Sequence, residues 1–414
     1  MNIAELRSQF PELSEKVYGK PLVYLDNAAT SQRPLSVIEK WTGLSSRFNS
    51  NIHRAVHHIA AVATDEYESA RDAVREFINA RYREEIVFTS GATASLNLVA
   101  FSFGEAFVKE GDEIIIAESE HHSDIVPWQM MCERKGAVIK VLPVDESGHL
   151  EIERLDEIIT SRTKLLCVAH ISNVLGIINP LKQIVNICHS KGCMVLADGA
   201  QGIVHEIVDV QDLGCDFYVF SGHKMYAATG TGVMYGRREI LDRMPPYMGG
   251  GEMIDTVRFS GTTYAALPGK FEAGTQNFTG APTLVPAIEM LKAMREDAIV
   301  GEYDAIRDYV LRELTGDPRI RLYGVPRGTS ENTSETSEKI ALFSFSVQGV
   351  HHEDLALILD KMGVAVRSGQ MCAEPLMDRF GVTGMLRASF APYNTMAEAE
   401  YFISSLRKAI DMLS

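Results

Sequence analysis

Apolar positions in the middle of the chain fall into short runs separated by turn residues. From Glu85 to Gly236, runs rich in Val and Ile alternate with longer stretches whose apolar residues recur at helical spacing. That alternation is the signature of a parallel sheet with connecting helices. It predicts strands at Ile86–Ser90, Glu113–Ala117, Val138–Pro143, Leu165–Ile171, Met194–Ala197, Phe217–Phe220 and Gly232–Tyr235. Helices are predicted at Ala94–Lys109, Glu151–Ile159 and Leu181–Ser190, completing a doubly wound α/β core around a mostly parallel seven-stranded sheet.

Beyond about Pro282 the pattern changes to a long helix, a strand at Ile340–Val347, a helix at Glu353–Met362, two further extended pieces and a final helix at Ala397–Leu413. This reads as a smaller α+β domain. The polar stretch Gly328–Glu338 has no periodicity and reads as an exposed loop within it. The expected division is an N-terminal segment over residues 1–20, packed with the small domain, a large α/β domain over 21–281 and the small domain over 282–414.

In open α/β sheets the binding crevice lies beyond the carboxyl ends of the strands. Polar residues gather at five such ends: Gly91, Ala92 and Thr93; His121 and His122; Ser172 and Asn173; Asp198 and Gln201; and Ser221, His223 and Lys224. Ser90-Gly91-Ala92-Thr93 reads either as a strand-to-helix turn with Thr93 as N-cap or as a phosphate cradle at a helix N-terminus. Neither Gly19-Lys20 nor Gly269-Lys270 is followed by Ser or Thr in a Walker pattern, and no G-x-G-x-x-G opens the first unit. A cofactor phosphate is therefore favoured over ATP or NAD.

A carboxylate at one strand end and a lysine at the next have a specific chemical use. Lysine forms a Schiff base with pyridoxal 5'-phosphate, and a carboxylate keeps the pyridine nitrogen protonated so that the ring draws electrons. Asp198 and Lys224 fit those roles, with Ser221 and His223 beside the phosphate. The pair His121-His122 lacks a carboxylate or cysteine at ligand spacing, so no metal is expected. A histidine on the ring face, moving protons, is the better reading.

Composition narrows the partners. A formal net charge of -15 on 414 residues, with no dense Lys/Arg run, argues against nucleic-acid binding. The apolar runs fall far short of the roughly 18 residues that cross a bilayer. The opening MNIAELRSQF reads neither as a secretory signal nor as a transit peptide, so the expected address is the cytoplasm. Six cysteines without a CxxC fit reduced thiols. Five read as packing residues, whereas Cys372 lies in a loop, between Gly369 and Pro375, with Arg367 nearby, the setting of an accessible, thiolate-forming nucleophile. Arg387 reads either as half of a surface ion pair or as the bidentate partner of an α-carboxylate.

In this order, the segments Tyr24–Ala29, Asn51–Arg54, His121–Gln129, Asp198–Gln201, Ser221–Lys224, Phe271–Thr275 and the Arg-x-Gly-x-x-Cys-Ala-x-Pro-Leu-Met loop around Cys372 resemble the Suf-type (group II) pyridoxal-phosphate cysteine desulfurases of the class V aminotransferase superfamily. The resemblance covers nearly the whole chain. It implies aminotransferase fold type I, with Lys224 as Schiff-base lysine and proton shuttle, Asp198 on the pyridine nitrogen, Gln201 on the ring hydroxyl and His121 stacked on the ring. The resemblance further implies that Thr93, Ser221 and His223 hold the phosphate, joined by Thr275 from the second subunit of a homodimer. By the same resemblance Asn173 and Arg387 would hold L-cysteine, and Cys372 would take its sulfur as a persulfide, leaving alanine. The sulfur then passes to a small acceptor protein for iron–sulfur cluster assembly. Selenocysteine lyase activity shares the fold and similar residues. A transaminase would need no Cys372. Two departures stand out: Gln370-Met371 where relatives often carry His-His, and Tyr226-Ala227-Ala228-Thr229 where Gly-Pro is common.

Overall fold

A computed structural model of the chain describes residues 2–325 and 338–413. Its centre is a seven-stranded sheet of β1 (Ile86–Thr89), β2 (Glu113–Ala117), β3 (Val138–Leu142), β4 (Thr163–Ala169), β5 (Met194–Asp198), β6 (Phe217–Ser221) and β7 (Gly232–Gly236), in the order β1-β7-β6-β5-β4-β2-β3. Only β7 runs antiparallel to its neighbours. The ends of β1, β2, β4, β5 and β6 therefore open on one rim, as expected.

The reason the inner runs carry few polar residues is that both faces of the sheet are covered there, whereas on the edge strand β3 Val138 and Val141 are exposed. Along β6, Tyr218 and Phe220 point into one core while Phe217 and Val219 point into the other, and Leu166/Val168 against Leu165/Cys167 repeat this on β4. Helices α4 (Ala92–Phe107) and α5 (His122–Lys135) cover one face through Leu96, Phe103 and Trp128. Helices α3 (His58–Phe77), α6 (Leu181–Ser190) and α7 (Leu284–Met294) cover the other through Tyr67, Ile184 and Leu291. Helix α2 (Leu35–Arg47) packs on α7.

Several expectations are corrected. Glu151–Ile159 is a 3-10 turn and one short helical turn at Leu155–Ile158, not a full helix. The long helix after Pro282 is two helices, α7 and α8 (Asp297–Thr315), broken at Arg295–Glu296. The break follows packing: α7 lies on α2 and α3, whereas α8 lies on α11 (Met396–Leu413). The predicted loop Gly328–Glu338 falls, except for Glu338, outside the described residues.

The second sheet is antiparallel, with β8 (Ile320–Tyr323), β9 (Leu342–Val347), β11 (Met385–Ser389) and β10 (Arg367–Gly369) in the order β8-β9-β11-β10. Helices α9 (His352–Lys361) and α11 pack with it around Phe343, Leu359 and Phe402. The short α10 (Glu374–Phe380) follows β10. The N-terminal helix α1 (Ile3–Ser8) is tied across the chain by Arg7 to Glu398 at 2.7 Å. Among the described residues no helix is long and apolar enough to cross a membrane.

Candidate active site

Lys224, Asp198, His121, Thr93, Ser221, His223, Asn173, Arg387 and Cys372 line one cavity at the carboxyl ends of the parallel strands, with Arg367 and Ala28. Nine of the eleven expected site residues are thus brought together. Gln201 lies just behind, buried, its amide donating to Ala28 O at 2.8 Å, and shares a small adjoining void with Lys224. Thr275 stands apart in this chain and lines a second cavity with Tyr67, Ser90 and Tyr247.

The floor is built by strand ends. Asp198 closes β5, its Oδ1 accepting the Ala200 amide at 2.8 Å. Lys224 follows β6 in a single 3-10 turn. Burial, with Arg387 adding repulsion, pushes the lysine amine below its ordinary value, while Asp198 opposes the shift. A less basic amine is a better nucleophile toward a carbonyl at neutral pH. His223 is pushed down to about 4 by burial and by Lys224 and Arg33, so its ring is neutral near pH 7.

At the head of α4, Gly91 is the N-cap and offers no side chain, so Thr93 is not the cap. Ser221 Oγ accepts the Ala92 amide at 2.8 Å, and Thr93 Oγ1 lies 2.8 Å from Ser123 Oγ. The first intrahelical bond comes only at Ser95, from its amide to Gly91 O. The Thr93 and Ala94 amides precede it, next to two hydroxyls, at the positive end of a 16-residue helix, which is the chemistry of an anion site. A Cβ on Gly232 would lie 2.4 Å from Gly91 Cα, so the turn depends on glycine there.

The two histidines serve different helices. His121 Nδ1 caps α5 by accepting the Ser123 amide at 3.0 Å. Burial first, then Lys224, pushes it to about 4, leaving a neutral ring that carries its proton on Nε2. His122 faces the cysteine loop: its amide donates to Cys372 O at 2.7 Å, and its Nε2 accepts the Glu374 amide at 3.1 Å.

Cys372 is the exposed cysteine; the other five are buried. Met371 and Cys372 both adopt left-handed backbone, φ +53° and +56°, at a cost of about 1–2 kcal/mol each for non-glycine residues. The loop is held there by the His122 bonds and by the Asn173 side-chain amide, which donates to Met371 O at 2.9 Å. Met371 is buried, and Gln370 bonds Glu374 Oε1 at 3.0 Å. The positions that depart from His-His thus hold the loop's own shape. Tyr226, at the other departure, is buried with φ +71° and packs against Phe10 and Tyr393.

Sequence reasoning assigned no role to Asp26. It pairs with Arg387 Nη2 at 3.3 Å and Arg367 Nη1 at 3.2 Å, so the cation beside the cysteine loop is already engaged. Arg387 also donates to Asn173 O at 2.7 Å, while its buried Nε has no hydrogen-bond partner among the described residues. Burial pushes its guanidinium down, opposed by Asp26. A further unassigned residue, Glu272, accepts from buried Arg71 at 2.7 Å, from Tyr67 at 3.0 Å and from the Phe88 amide at 2.8 Å, which anchors the segment leading to Thr275. The segment Phe271–Thr275 was visible as a motif; the ion pair was not, because Arg71 lies 201 residues away.

Comparison with known proteins identifies the family. The aminotransferase class-V family model matches residues 23–402. A probable cysteine desulfurase of Vibrio cholerae serotype O1 is 43% identical over 413 residues, covering 100% of both chains. The cysteine desulfurase CsdA of Escherichia coli superposes with a TM-score of 0.90 at 37% identity, over 100% of each chain. The cysteine desulfurase of Thermococcus onnurineus NA1 gives 0.91 at 34%, over 99% of this chain and 98% of that one. With its site assembled at the rim of this sheet and its length matched end to end, the chain belongs to the class V aminotransferase family.

Proposed function

We propose that this protein is a pyridoxal-5'-phosphate-dependent cysteine desulfurase that converts L-cysteine to L-alanine and keeps the sulfur as a persulfide on Cys372. The observation that carries the reading is that an exposed cysteine, on a loop held in left-handed backbone, lines the same cavity as a depressed lysine, a strand-end aspartate and a buried arginine. Relatives named cysteine desulfurase, aligned over the full length, support it.

The residues present fit the cofactor. The α4 amides with Thr93 and Ser221 suit its phosphate, Asp198 its ring nitrogen, Gln201 its hydroxyl, His121 its ring face and Lys224 its aldehyde; His223 and, from a second subunit, Thr275 complete the phosphate shell. Pyridoxal phosphate, when bound, supplies an aldehyde for the substrate amine and a ring that withdraws electrons from Cα. Arg387, with an unused buried Nε, orients the substrate carboxylate, and Asn173 supports it through Arg387. Lys224 takes the Cα proton and returns it. Neutral His121 keeps its Nε2–H toward the cavity to steady the developing negative charge. Cys372 Sγ, as thiolate, attacks the substrate sulfur: the S–S bond forms, the Cβ–S bond breaks, and the electron pair left on Cβ takes one proton, which with the Cα proton returned by Lys224 gives alanine.

The same reading includes a homodimer, an acceptor protein of the Suf type that collects the sulfur for iron–sulfur clusters, and a reducing, cytoplasmic setting, because Cys372 must begin as a free thiol. It also includes the division into a large and a small domain, the latter carrying the cysteine loop.

Alanine release from L-cysteine by protein loaded with pyridoxal phosphate tests the proposal, beside Cys372→Ala and with L-selenocysteine as second substrate. The expected result is cysteine turnover that vanishes in the variant while selenocysteine turnover persists. Consumption of selenocysteine alone by either protein would replace the reading with selenocysteine lyase.

A further inference from the structure

We infer that His122 is a positioning residue that clamps the Cys372 loop onto the N-terminus of α5. The inference rests on the reading of Cys372 as sulfur acceptor. His122 opens α5, and its backbone amide, one of those a helix leaves without an intrahelical partner, is spent on Cys372 O at 2.7 Å. Its ring does the converse. Helix α10 begins at Glu374, and its N-cap residue, Ala373, has no side chain able to cap. The Glu374 amide instead donates to His122 Nε2 at 3.1 Å, so an imidazole from α5 caps α10.

The two bonds flank the sulfur-bearing residue, one at its own carbonyl and one two positions on. Met371 O, on the other side, is held by Asn173. Three external ties thus fix a loop whose two central residues sit in left-handed backbone. For Nε2 to accept, the ring must be neutral with its proton on Nδ1. His121 has the opposite arrangement, with Nδ1 accepting. The adjacent pair therefore divides the labour: one ring faces the cavity floor, the other holds the nucleophile's backbone while leaving Sγ exposed. Releasing that backbone would spread Sγ over many positions and lower the fraction of time it meets the substrate sulfur.

The test compares His122→Phe, which keeps ring volume and loses the acceptor, with His122→Gln, whose amide oxygen can accept the Glu374 N–H. Two quantities are read on full-length protein loaded with pyridoxal phosphate: hydrogen exchange of the peptide Gln370–Leu376 by mass spectrometry, and kcat for alanine release. The phenylalanine variant is expected to exchange about tenfold faster in that peptide and to lose about tenfold in kcat, with unaltered visible cofactor absorbance. The glutamine variant is expected to recover both to within about threefold. Unchanged exchange in the phenylalanine variant, unchanged kcat despite faster exchange, or a glutamine variant no better than phenylalanine overturns the inference. Should His122→Phe not fold, His122→Asn, too short to reach the Glu374 amide, takes its place with the same expectations. Cysteine turnover surviving in Cys372→Ala would sink the sulfur-acceptor reading instead, while the exchange measurement still decides the clamp.

Discussion

Glu120, in the turn between β2 and α5, is fully buried, and burial, reinforced by nearby Asp198, pushes its carboxyl up to about 8. The folded chain therefore keeps a proton that the unfolded chain gives up near 4.5. Stability from this group is complete at acid pH and is lost as pH rises through that window toward 8. Glu120→Gln mimics the protonated form, so its Tm relative to the parent is expected to climb between pH 5 and pH 8; a constant difference would contradict the assignment. Lys224→Ala is expected to lower alanine release by on the order of 10²–10⁴-fold and to remove the visible band of lysine-bound cofactor. That Lys224, Asp198 and Cys372 share one cavity was legible because few chemistries need those residue types at such positions. Asp26 and His122 were not, because their roles exist only through partners hundreds of residues away: Arg387 for one, Glu374 for the other.

At the scale of elements, the five strands that end on the rim were readable because each is short, apolar and followed by polar residues there, whereas the edge strand β3, with Val138 and Val141 exposed, and the antiparallel β7 showed only as short apolar runs. Helix α6 was legible to the residue, since its apolar positions fall on one side only. The division between α7 and α8 was invisible because no glycine or proline marks it; the helices part because they pack on different partners. The turn between β1 and α4 leaves no room for a side chain on Gly232. Gly232→Ala is expected to weaken pyridoxal phosphate binding at least about tenfold, read by absorbance titration, while circular dichroism stays that of the parent. The Arg71–Glu272 pair lies in the core with side chains 2% and 3% exposed. Glu272→Ala would leave buried Arg71 with only the partly exposed Glu68 as carboxylate partner, at 3.1 Å, and a loss of about 2–4 kcal/mol in urea unfolding is expected; a loss under about 1 kcal/mol would mean that the pair does not anchor this segment.

Across the whole molecule, the site is a seam. Lys224 and Asp198 come from the parallel sheet, Arg387 and Arg367 from the antiparallel one, and Asp26 from the connecting N-terminal stretch, which also bonds β11 through the Leu25 carbonyl and the Ser389 amide at 2.7 Å. Such a seam cannot be read from periodicity, which is local, although the order of motifs announced its parts. Of the expected site residues, Gln201 lies just behind the cavity and Thr275 lines a different one; under the proposed function Thr275 belongs to the site of a second subunit. Sedimentation is expected to give twice the 45.8 kDa chain mass, and Thr275→Ala mixed with Lys224→Ala is expected to recover measurable activity through hybrid dimers. A monomer with full activity would contradict that assignment.

Transfer of the substrate sulfur to Cys372 is read by mass spectrometry of the loaded protein after a single equivalent of L-cysteine without reductant. One added sulfur is expected on the peptide that carries Cys372, in step with the alanine released and absent from the other five cysteines. Alanine formed with that peptide unmodified, or sulfur found on any other cysteine, would contradict it.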